Sequence, residues 1–261
     1  MTGAGEEAEM TTDTYTGGLD GAVIAVAGAG GPAGRAVLHR LARSGAHVVA
    51  ADADPQRLAD AVDGARYEAG GSDVTGEVVD LFDLDSARAW AERIEKDHGR
   101  VDGLVHLVGG WRGSASFPET ELSDWDTLEK LLVRTAQHTS LAFHDGLLRS
   151  PGGRYVLISA SGASAPTAGN AAYGAAKAAA EAWTLAMGDS FRKLAPGDGP
   201  VAAAVILVVK ALVHDEMRAQ RPNAKFAGFT DVRDLAEAVA DVWNASPEEV
   251  NGTRQWLTPR P

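Results

Sequence analysis

From Ala22 onward, short apolar runs alternate with longer stretches in which apolar residues recur at helical spacing. The short runs predict buried strands, and the longer stretches predict amphipathic helices. Strands are expected near residues 22–27, 47–51, 77–79, 103–108, 154–159, 201–209 and 254–257. Helices are expected over residues 35–43, 55–62, 86–97, 123–148, 171–194 and 232–243. This alternation predicts an α/β fold, a Rossmann-type doubly wound parallel sheet in a three-layer αβα arrangement.

Residues 1–18 precede this pattern and differ from it in composition. They are acidic and contain neither a basic start nor an apolar stretch. They therefore do not resemble a signal peptide, and we expect a disordered leader. Residues 19–261 are expected to form a single domain. Within it, residues 195–200 are expected to be a loop, and residues 210–230, whose periodicity is mixed, a mobile lid beside the site.

Charge and composition narrow the classes of partner. The chain of 261 residues carries a formal net charge of −12, which would repel nucleic acid and anionic membranes. It contains no cysteine, so disulfides, thiolate nucleophiles and cysteine-based metal sites are excluded. The histidines show no metal-ligand spacing, and no apolar run reaches the roughly 18 residues of a membrane helix. We therefore expect a cytoplasmic protein that acts on a small molecule, with no metal, nucleic-acid or membrane partner.

A glycine-rich turn follows the first predicted strand and reads Gly28-Ala29-Gly30-Gly31-Pro32-Ala33-Gly34. Glycines in such a turn permit a tight bend, a close approach of the backbone to a pyrophosphate, and close packing of the next helix. The free N–H groups and the dipole of that helix then attract the phosphates. The turn predicts a dinucleotide site formed by Gly28, Gly30, Gly31, Pro32, Ala33 and Gly34.

Acidic residues follow the second and third strands. Asp52 comes directly after the second strand, where a carboxylate can accept hydrogen bonds from both adenosine-ribose hydroxyls and repels a 2′-phosphate. The alternative is a helix cap, but Asp54 before Pro55 suits that cap better. Asp52 therefore predicts NAD rather than NADP. Asp80 and Leu81 end the third strand, where adenine would lie, although an exposed turn explains Asp80 almost as well.

Tyr173 and Lys177 lie four residues apart in an alanine-rich stretch that predicts a helix. This spacing places the phenol and the ammonium group on one face. The cation favours the phenolate and is expected to lower the pKa of Tyr173 from its ordinary value toward the working pH. Such a tyrosine can donate a proton to a ketone oxygen, or accept one from an alcohol, while a hydride moves to or from a nicotinamide ring.

In this order along the chain, these features resemble the short-chain dehydrogenase/reductase family from Leu19 to Leu257. The resemblance implies that Tyr173 is the general acid/base, that Lys177 binds the nicotinamide ribose, and that Gly109 after strand four borders the cofactor. It also implies a serine near the end of strand five, which either Ser159 or Ser161 could supply. Members of the family usually pair through the helices before and after this strand, which implies a homodimer or homotetramer.

The chain also departs from the family pattern. Ala27 and Pro32 stand where the turn has a threonine and a glycine, and Leu132 stands where helix four has an asparagine. Ala160 occupies the serine position itself. The Pro-Gly pair that follows strand six is missing from residues 207–210.

Two further residues have open interpretations. His106 begins the segment that replaces the family's Asn-Asn-Ala-Gly after strand four. It could replace the lost asparagine contact or be a structural histidine at the end of a strand. Trp111, just after Gly109, could border the substrate or simply pack within its loop.

These observations predict an NAD(H)-dependent oxidoreductase that interconverts a secondary alcohol and a ketone. NADP is the less favoured cofactor, unless Arg35 or Arg57 reaches the 2′ position and offsets Asp52. Two other functions remain open. The departures favour a catalytically weak nicotinamide-binding regulatory or scaffold protein, and the fold also suits a dehydratase or epimerase that uses Tyr173 as a base.

Overall fold

The computed structural model describes residues 18–68, 73–195 and 201–260, and its central sheet has seven parallel strands. In chain order these are β1 (Val23–Ala27), β2 (His47–Asp52), β3 (Val74–Val78), β4 (Gly103–His106), β5 (Arg154–Ala160), β6 (Ala203–Val209) and, after two short strands, β9 (Thr253–Trp256). In space the order is β3-β2-β1-β4-β5-β6-β9. The strand order reverses between β1 and β4, and such sheets bind ligands in the crevice outside the carboxyl ends at that point.

Helices cover both faces of this sheet. One face carries α1 (Pro32–Arg43), α2 (Pro55–Glu68) and α8 (Val232–Asp241), and the other carries α3 (Leu84–His98), α5 (Thr135–Arg149) and α6 (Ala171–Leu194). Shorter helices are α4 (Leu122–Leu128), α7 (Asp215–Gln220) and α9 (Pro247–Val250). The prediction of a doubly wound sheet in three αβα layers is confirmed.

The alternation of side chains along β1 shows why the sheet needs both helical layers. Successive side chains of a strand point to opposite faces. Ile24 and Val26 enter the core beneath α1 and α8, while Val23, Ala25 and Ala27 enter the core beneath α3 and α5. An entirely apolar strand is thus buried on both sides, as its sequence predicts.

Two elements differ from their predicted bounds. The third strand was expected near residues 77–79 but is Val74–Val78, because it lies at the edge of the sheet and most of its side chains are exposed. The long helix expected over 123–148 is divided: a π-helical turn at Glu129–Arg134 separates α4 from α5. Wide turns of this kind are frequent at functional sites.

The segment 210–230, expected to be a mobile lid, contains ordered elements. Two short strands, β7 (Leu212–Val213) and β8 (Thr230–Asp231), pair in parallel on either side of α7. Its mobility remains a prediction. The predicted leader, except Gly18, and the predicted loop at 195–200, except Ala195, lie outside the described residues.

Candidate active site

The glycine-rich turn after β1 is shaped by close contacts at two positions. Gly28 has a φ of +82°, a conformation that favours glycine, and a Cβ there would lie 2.8 Å from the amide nitrogen of Val108. A Cβ on Gly34 would collide with the carbonyl oxygen of Ala29. By contrast, a Cβ on Gly31 would meet only a carbonyl oxygen 3.8 Å away. Space is therefore open above the middle of the turn.

Helix α1 begins beside this open space with no side chain over its N-terminus. Gly31 caps the helix without a side-chain hydrogen bond, Pro32 is at its first position, and the first turn contains no acidic residue. Unpaired N–H groups and the positive end of the helix dipole together attract phosphate. The turn and the start of α1 therefore fit the pyrophosphate of a dinucleotide.

Asp52 at the end of β2 faces this turn and is held there by three protein donors. The N–H of Gly30 donates to its Oδ2 at 2.9 Å, and the N–H of Asp54 donates to its Oδ1 at 3.0 Å. The guanidinium of Arg57 also binds Oδ1, at 2.9 Å. Asp54, as predicted, caps α2: its carboxylate accepts from the backbone N–H groups of Gln56 and Arg57, both at 3.0 Å. Asp52 is thus free of the capping role, but its charge is paired with Arg57.

A cavity of about 380 Å³ lies over these residues. The predicted cofactor-binding residues that line it are Gly28, Gly31, Pro32, Asp52, Asp80, Leu81 and Gly109. Asp80 is exposed, and its carboxylate accepts from the N–H of Phe82 at 2.9 Å, which fits the turn interpretation, while its contact with adenine stays a prediction. Gly30 and Gly34 line neither this cavity nor the larger one described next. Their close contacts support the shape of the turn, and a direct role for them in binding a dinucleotide stays a prediction.

A second cavity, of about 850 Å³, shares Leu107, Val108 and Gly109 with the first. The predicted residues that line it are Ala33, Ser159, Ser161, Tyr173 and Lys177. The two cavities together form one trough along the carboxyl ends of the strands. Its shared wall at Gly109 suits a dinucleotide with a substrate at the far end.

Tyr173 and Lys177 line the larger cavity from one face of α6. The Lys177 ammonium donates to the carbonyl oxygen of Ile158 at 2.8 Å. Burial lowers the pKa of Lys177 to about 8, and the negative charge of Glu181 opposes this shift. Burial raises the pKa of Tyr173 to about 12. The expectation that Lys177 lowers the pKa of Tyr173 is therefore wrong for the protein alone, because desolvation of the phenolate dominates.

The two candidate serines differ in what their hydroxyl groups contact. Ser159, fully buried at the end of β5, donates to a carboxylate oxygen of Glu181 at 2.6 Å. Glu181 also accepts from the Nε of Arg254 at 2.6 Å. Ser161, one residue beyond β5, is half-buried, and its hydroxyl has no partner among the described residues. Among the described residues the Ser161 hydroxyl is therefore the unpaired one, whereas the Ser159 hydroxyl makes a structural contact that the sequence did not indicate.

His106 at the end of β4 is a structural histidine. Its Nε2 lies 3.2 Å from the hydroxyl of Thr135, and its Nδ1 lies 3.2 Å from the hydroxyl of Thr139. Burial, reinforced by the charge of Lys177, lowers the pKa of His106 to about 3, so the ring is neutral. Because both ring nitrogens are occupied, His106 has no free atom with which to replace the lost asparagine contact.

The position of that asparagine is apolar. Leu132 lies in the π-helical turn, buried in a cluster with Leu128 and Ala176, and Tyr173 packs against the same cluster. No polar side chain from this position reaches Lys177. The structure therefore also lacks the polar contact that the family's asparagine would make at this position.

Several lining residues of the larger cavity were not predicted, because they come from the segment after β6. Lys210, Arg221 and Phe229 line it together with Trp111 from the loop after β4. Trp111 therefore borders the cavity, and its contact with a substrate stays a prediction. No motif marks the other three residues individually in the sequence, although the 210–230 segment that carries them was expected to lie beside the site.

The described part of the chain contains no cluster of histidine and acidic residues that could hold a metal ion. Within residues 18–68, 73–195 and 201–260, no helix is long and apolar enough to cross a membrane.

A family model described as short chain dehydrogenase matches residues 22–196, more than half of the chain. The chain is similar to 2,3-dihydro-2,3-dihydroxybenzoate dehydrogenase of Bacillus subtilis (strain 168), with 27% identity over 171 residues. That match covers 66% of this chain and 64% of the relative, so the chain spans less than two thirds of this curated protein.

Solved structures share the architecture. An NADPH-bound short chain oxidoreductase from Pseudomonas aeruginosa PAO1, described as containing an atypical catalytic center, has a TM-score of 0.80 and 23% identity, covering 91% of this chain and 96% of that one. An NAD⁺-bound xylitol dehydrogenase has a TM-score of 0.76 and 18% identity, covering 92% and 98%. At these identities the likeness shows the fold. Together with the family match, the fold and the order of the motifs show that the chain belongs to the short-chain dehydrogenase family of oxidoreductases.

Proposed function

We propose that this protein is an NAD(H)-dependent oxidoreductase that interconverts a secondary alcohol and a ketone. The observation that carries the proposal is the shared face of Tyr173 and Lys177 on α6, which opens into the larger of the two cavities that form the trough. When bound, the nicotinamide ring supplies or accepts a hydride. The remaining chemistry is the transfer of one proton at the substrate oxygen, and Tyr173 is positioned for it.

In the reducing direction, Tyr173 donates its phenolic proton to the ketone oxygen as the carbonyl carbon gains a hydride. The phenolate then regains a proton from solvent, and the oxidation of an alcohol reverses these steps. The hydroxyl of Ser161 holds the substrate oxygen, and the ammonium of Lys177 stabilises negative charge nearby. Because its pKa lies near 12, Tyr173 is fully protonated at neutral pH, which favours its use as an acid in ketone reduction.

The direct test mixes the full chain with NADH and a panel of ketones and follows the absorbance of the reduced nicotinamide. The apolar position of Leu132 favours one competing function, a nicotinamide-binding protein that does not turn over substrate. That function predicts NADH binding with no oxidation by any ketone. Oxidation of NADH with formation of the matching alcohol supports the enzyme.

Cofactor choice gives a second test. We expect NADH to bind roughly tenfold or more tightly than NADPH, because the Asp52 carboxylate repels a 2′-phosphate. Arg57 pairs with Asp52 at 2.9 Å and offsets part of that repulsion, so Arg57→Gln should widen the preference, while Asp52→Ser should narrow it. Fluorescence titration of both reduced cofactors measures the effect. Arg35→Gln is the control, since Arg35 lines neither cavity. Equal binding of both cofactors by the unmodified protein would contradict the proposal.

Replacing each of the two serines by alanine should affect a different property, catalysis for one and stability for the other. Ser161→Ala should lower kcat/KM roughly hundredfold, as the loss of one hydrogen bond to the reacting oxygen does in other enzymes. Ser159→Ala should leave kcat/KM within about threefold but lower the free energy of unfolding by about 1–3 kcal/mol, because the buried Glu181 loses a donor. Steady-state kinetics and chemical denaturation of both variants check this. The reverse pattern would return the substrate contact to Ser159.

A further inference from the structure

The larger cavity is cationic in an acidic protein. Lys177, Lys210 and Arg221 line it, and none of its described lining residues is an aspartate or glutamate. The chain as a whole carries a net charge of −12. A cavity lined by one sign of charge attracts ligands of the opposite sign.

Among these three cations, two are already engaged. Lys177 donates to the carbonyl oxygen of Ile158 at 2.8 Å, and Lys210 donates to the carbonyl oxygen of Ala227 at 3.3 Å. Arg221 forms no ion pair within the described part of the chain. The structure thus leaves one guanidinium in the cavity wall without an anion.

Two other arginines in or near the 210–230 segment do have carboxylate partners. Arg218 binds Asp231 at 3.0 Å, and Arg233 binds Asp231 at 3.1 Å and Asp215 at 2.8 Å. Asp215 and Asp231 are therefore taken by Arg218 and Arg233. Arg221 differs from both in that it lines the cavity and lacks a carboxylate partner.

The rim of the same cavity is apolar. Trp111 lines it with 63% of its surface exposed. Phe229, which is partly exposed, lines it from the 210–230 segment. Large exposed apolar side chains beside a cleft mark a binding surface. The cavity therefore offers an apolar surface, one unpaired guanidinium and the Tyr173 hydroxyl.

Resting on the proposed function, we propose that the substrate is an organic acid, namely a ketone or secondary alcohol with an apolar body and a carboxylate that Arg221 binds. The guanidinium fork matches a carboxylate in a bidentate geometry. Binding the acid group away from the reacting carbon would orient the substrate oxygen toward Tyr173. Trp111 and Phe229 would cover the apolar body.

A phosphate group of the dinucleotide is a second candidate for the anion that Arg221 binds. Arg221 lines only the larger cavity, whereas the open glycine turn and the start of α1 belong to the nucleotide end. The experiment therefore measures cofactor binding and acid binding separately.

The test uses acetylbenzoate isomers and their methyl esters as ketone probes for the full chain with NADH. We expect kcat/KM to be roughly tenfold or more higher for the acid than for its ester, since a hydrogen bond to a charged group has about this effect. Arg221→Gln should remove that advantage mainly through KM, so that the acid and its ester have similar kcat/KM values. Arg221→Lys should retain part of it.

Lys225→Gln is the matched control. Lys225 is an exposed cation in the same segment that does not line the cavity, so its loss should change acid and ester alike by less than about twofold. Titration of each variant with NADH and NADPH in the absence of substrate tests whether Arg221 binds a phosphate of the cofactor. A roughly tenfold weakening of dinucleotide binding by Arg221→Gln would assign Arg221 to a cofactor phosphate and overturn the proposal.

A binding experiment tests the acid site independently of the proposed catalytic function. Benzoate and benzamide are titrated calorimetrically into the NADH complex, with no turnover required. Binding of benzoate but not benzamide, lost in Arg221→Gln, supports the acid site even if no ketone is reduced. Equal binding of the two, absence of benzoate binding, or benzoate binding unchanged by Arg221→Gln would overturn it, even if ketones are reduced.

Discussion

Tyr173→Phe should lower kcat by roughly 10²–10⁴-fold, the range expected when a general acid is lost. The phenylalanine ring keeps the packing of Tyr173 against the Leu132 cluster and removes only the proton donor. NADH affinity should change little, because the glycine turn and Asp52 at the other end of the trough are untouched. Stopped-flow or steady-state oxidation of NADH, together with NADH titration, measures the two quantities.

Tyr67→Phe is the matched control, since Tyr67 is 89% exposed on α2 and lines neither cavity. It should retain the unmodified rate. A Tyr173→Phe protein that keeps most of its activity would mean that another group, or water, supplies the proton. The assignment of the acid would then have to be abandoned even though the fold and the cofactor site stand.

Lys177→Met should abolish most turnover and at the same time stabilise the fold. Burial holds the pKa of Lys177 at about 8 instead of 10.5, so the folded protein disfavours the charged amine. When the pKa of a basic group is lower in the folded state than in the unfolded state, the group lowers the stability of the fold. The full loss applies at pH values below the folded-state pKa, and no loss remains at pH values above the unfolded-state pKa. This shift corresponds to roughly 3 kcal/mol of lost stability at neutral pH.

Methionine removes that penalty but also leaves the buried carbonyl oxygen of Ile158 without this donor, which costs about 1–3 kcal/mol. We therefore expect a net gain of about 1 kcal/mol in the free energy of unfolding at pH 7, or roughly 2–4 °C in Tm. The gain should shrink as the pH rises from about 8 to 10.5. Activity falls because the cation beside Tyr173 is lost, the usual conflict between stability and function at such sites.

Thermal unfolding followed by circular dichroism, without cofactor and at several pH values, measures this gain. Lys193→Met on the same helix is the control. The Lys193 side chain is 73% exposed and pairs with Asp189, and exposed pairs contribute about 1 kcal/mol or less. A Lys177→Met protein that is less stable than the unmodified chain, or equally stabilised at all pH values, would show that the buried ammonium is satisfied by its surroundings.

The strand and helix pattern predicted the architecture because burial on both faces leaves a strong local signal. β1 and β6 are apolar runs, β5 is mostly apolar, and the structure buries every residue of all three strands. The edge strand β3 was misplaced because its exposed side chains do not produce that signal. The division of the long helix by a π-helical turn at Glu129–Arg134 was not foreseen, since a helical spacing of apolar residues does not report a single wide turn.

The pairing of Tyr173 with Lys177 and the glycine turn were also determined by the sequence, because helix periodicity and a turn of a few residues are local properties. The choice between Ser159 and Ser161 was not. It depends on Glu181 and Arg254, which are distant in sequence and meet Ser159 only when α6 and β9 pack on the sheet. The high pKa of Tyr173 depends in the same way on burial, which the spacing of two residues does not contain.

The charges around the trough illustrate the same division. The sequence placed Asp52 after a strand and Asp54 at a helix cap, since both positions follow from neighbouring residues. The ion pair of Asp52 with Arg57, and the arrival of Arg221 in a cavity with no carboxylate, were decided by the tertiary structure. Coulomb interactions depend on distances in space, which the order of residues along the chain does not determine.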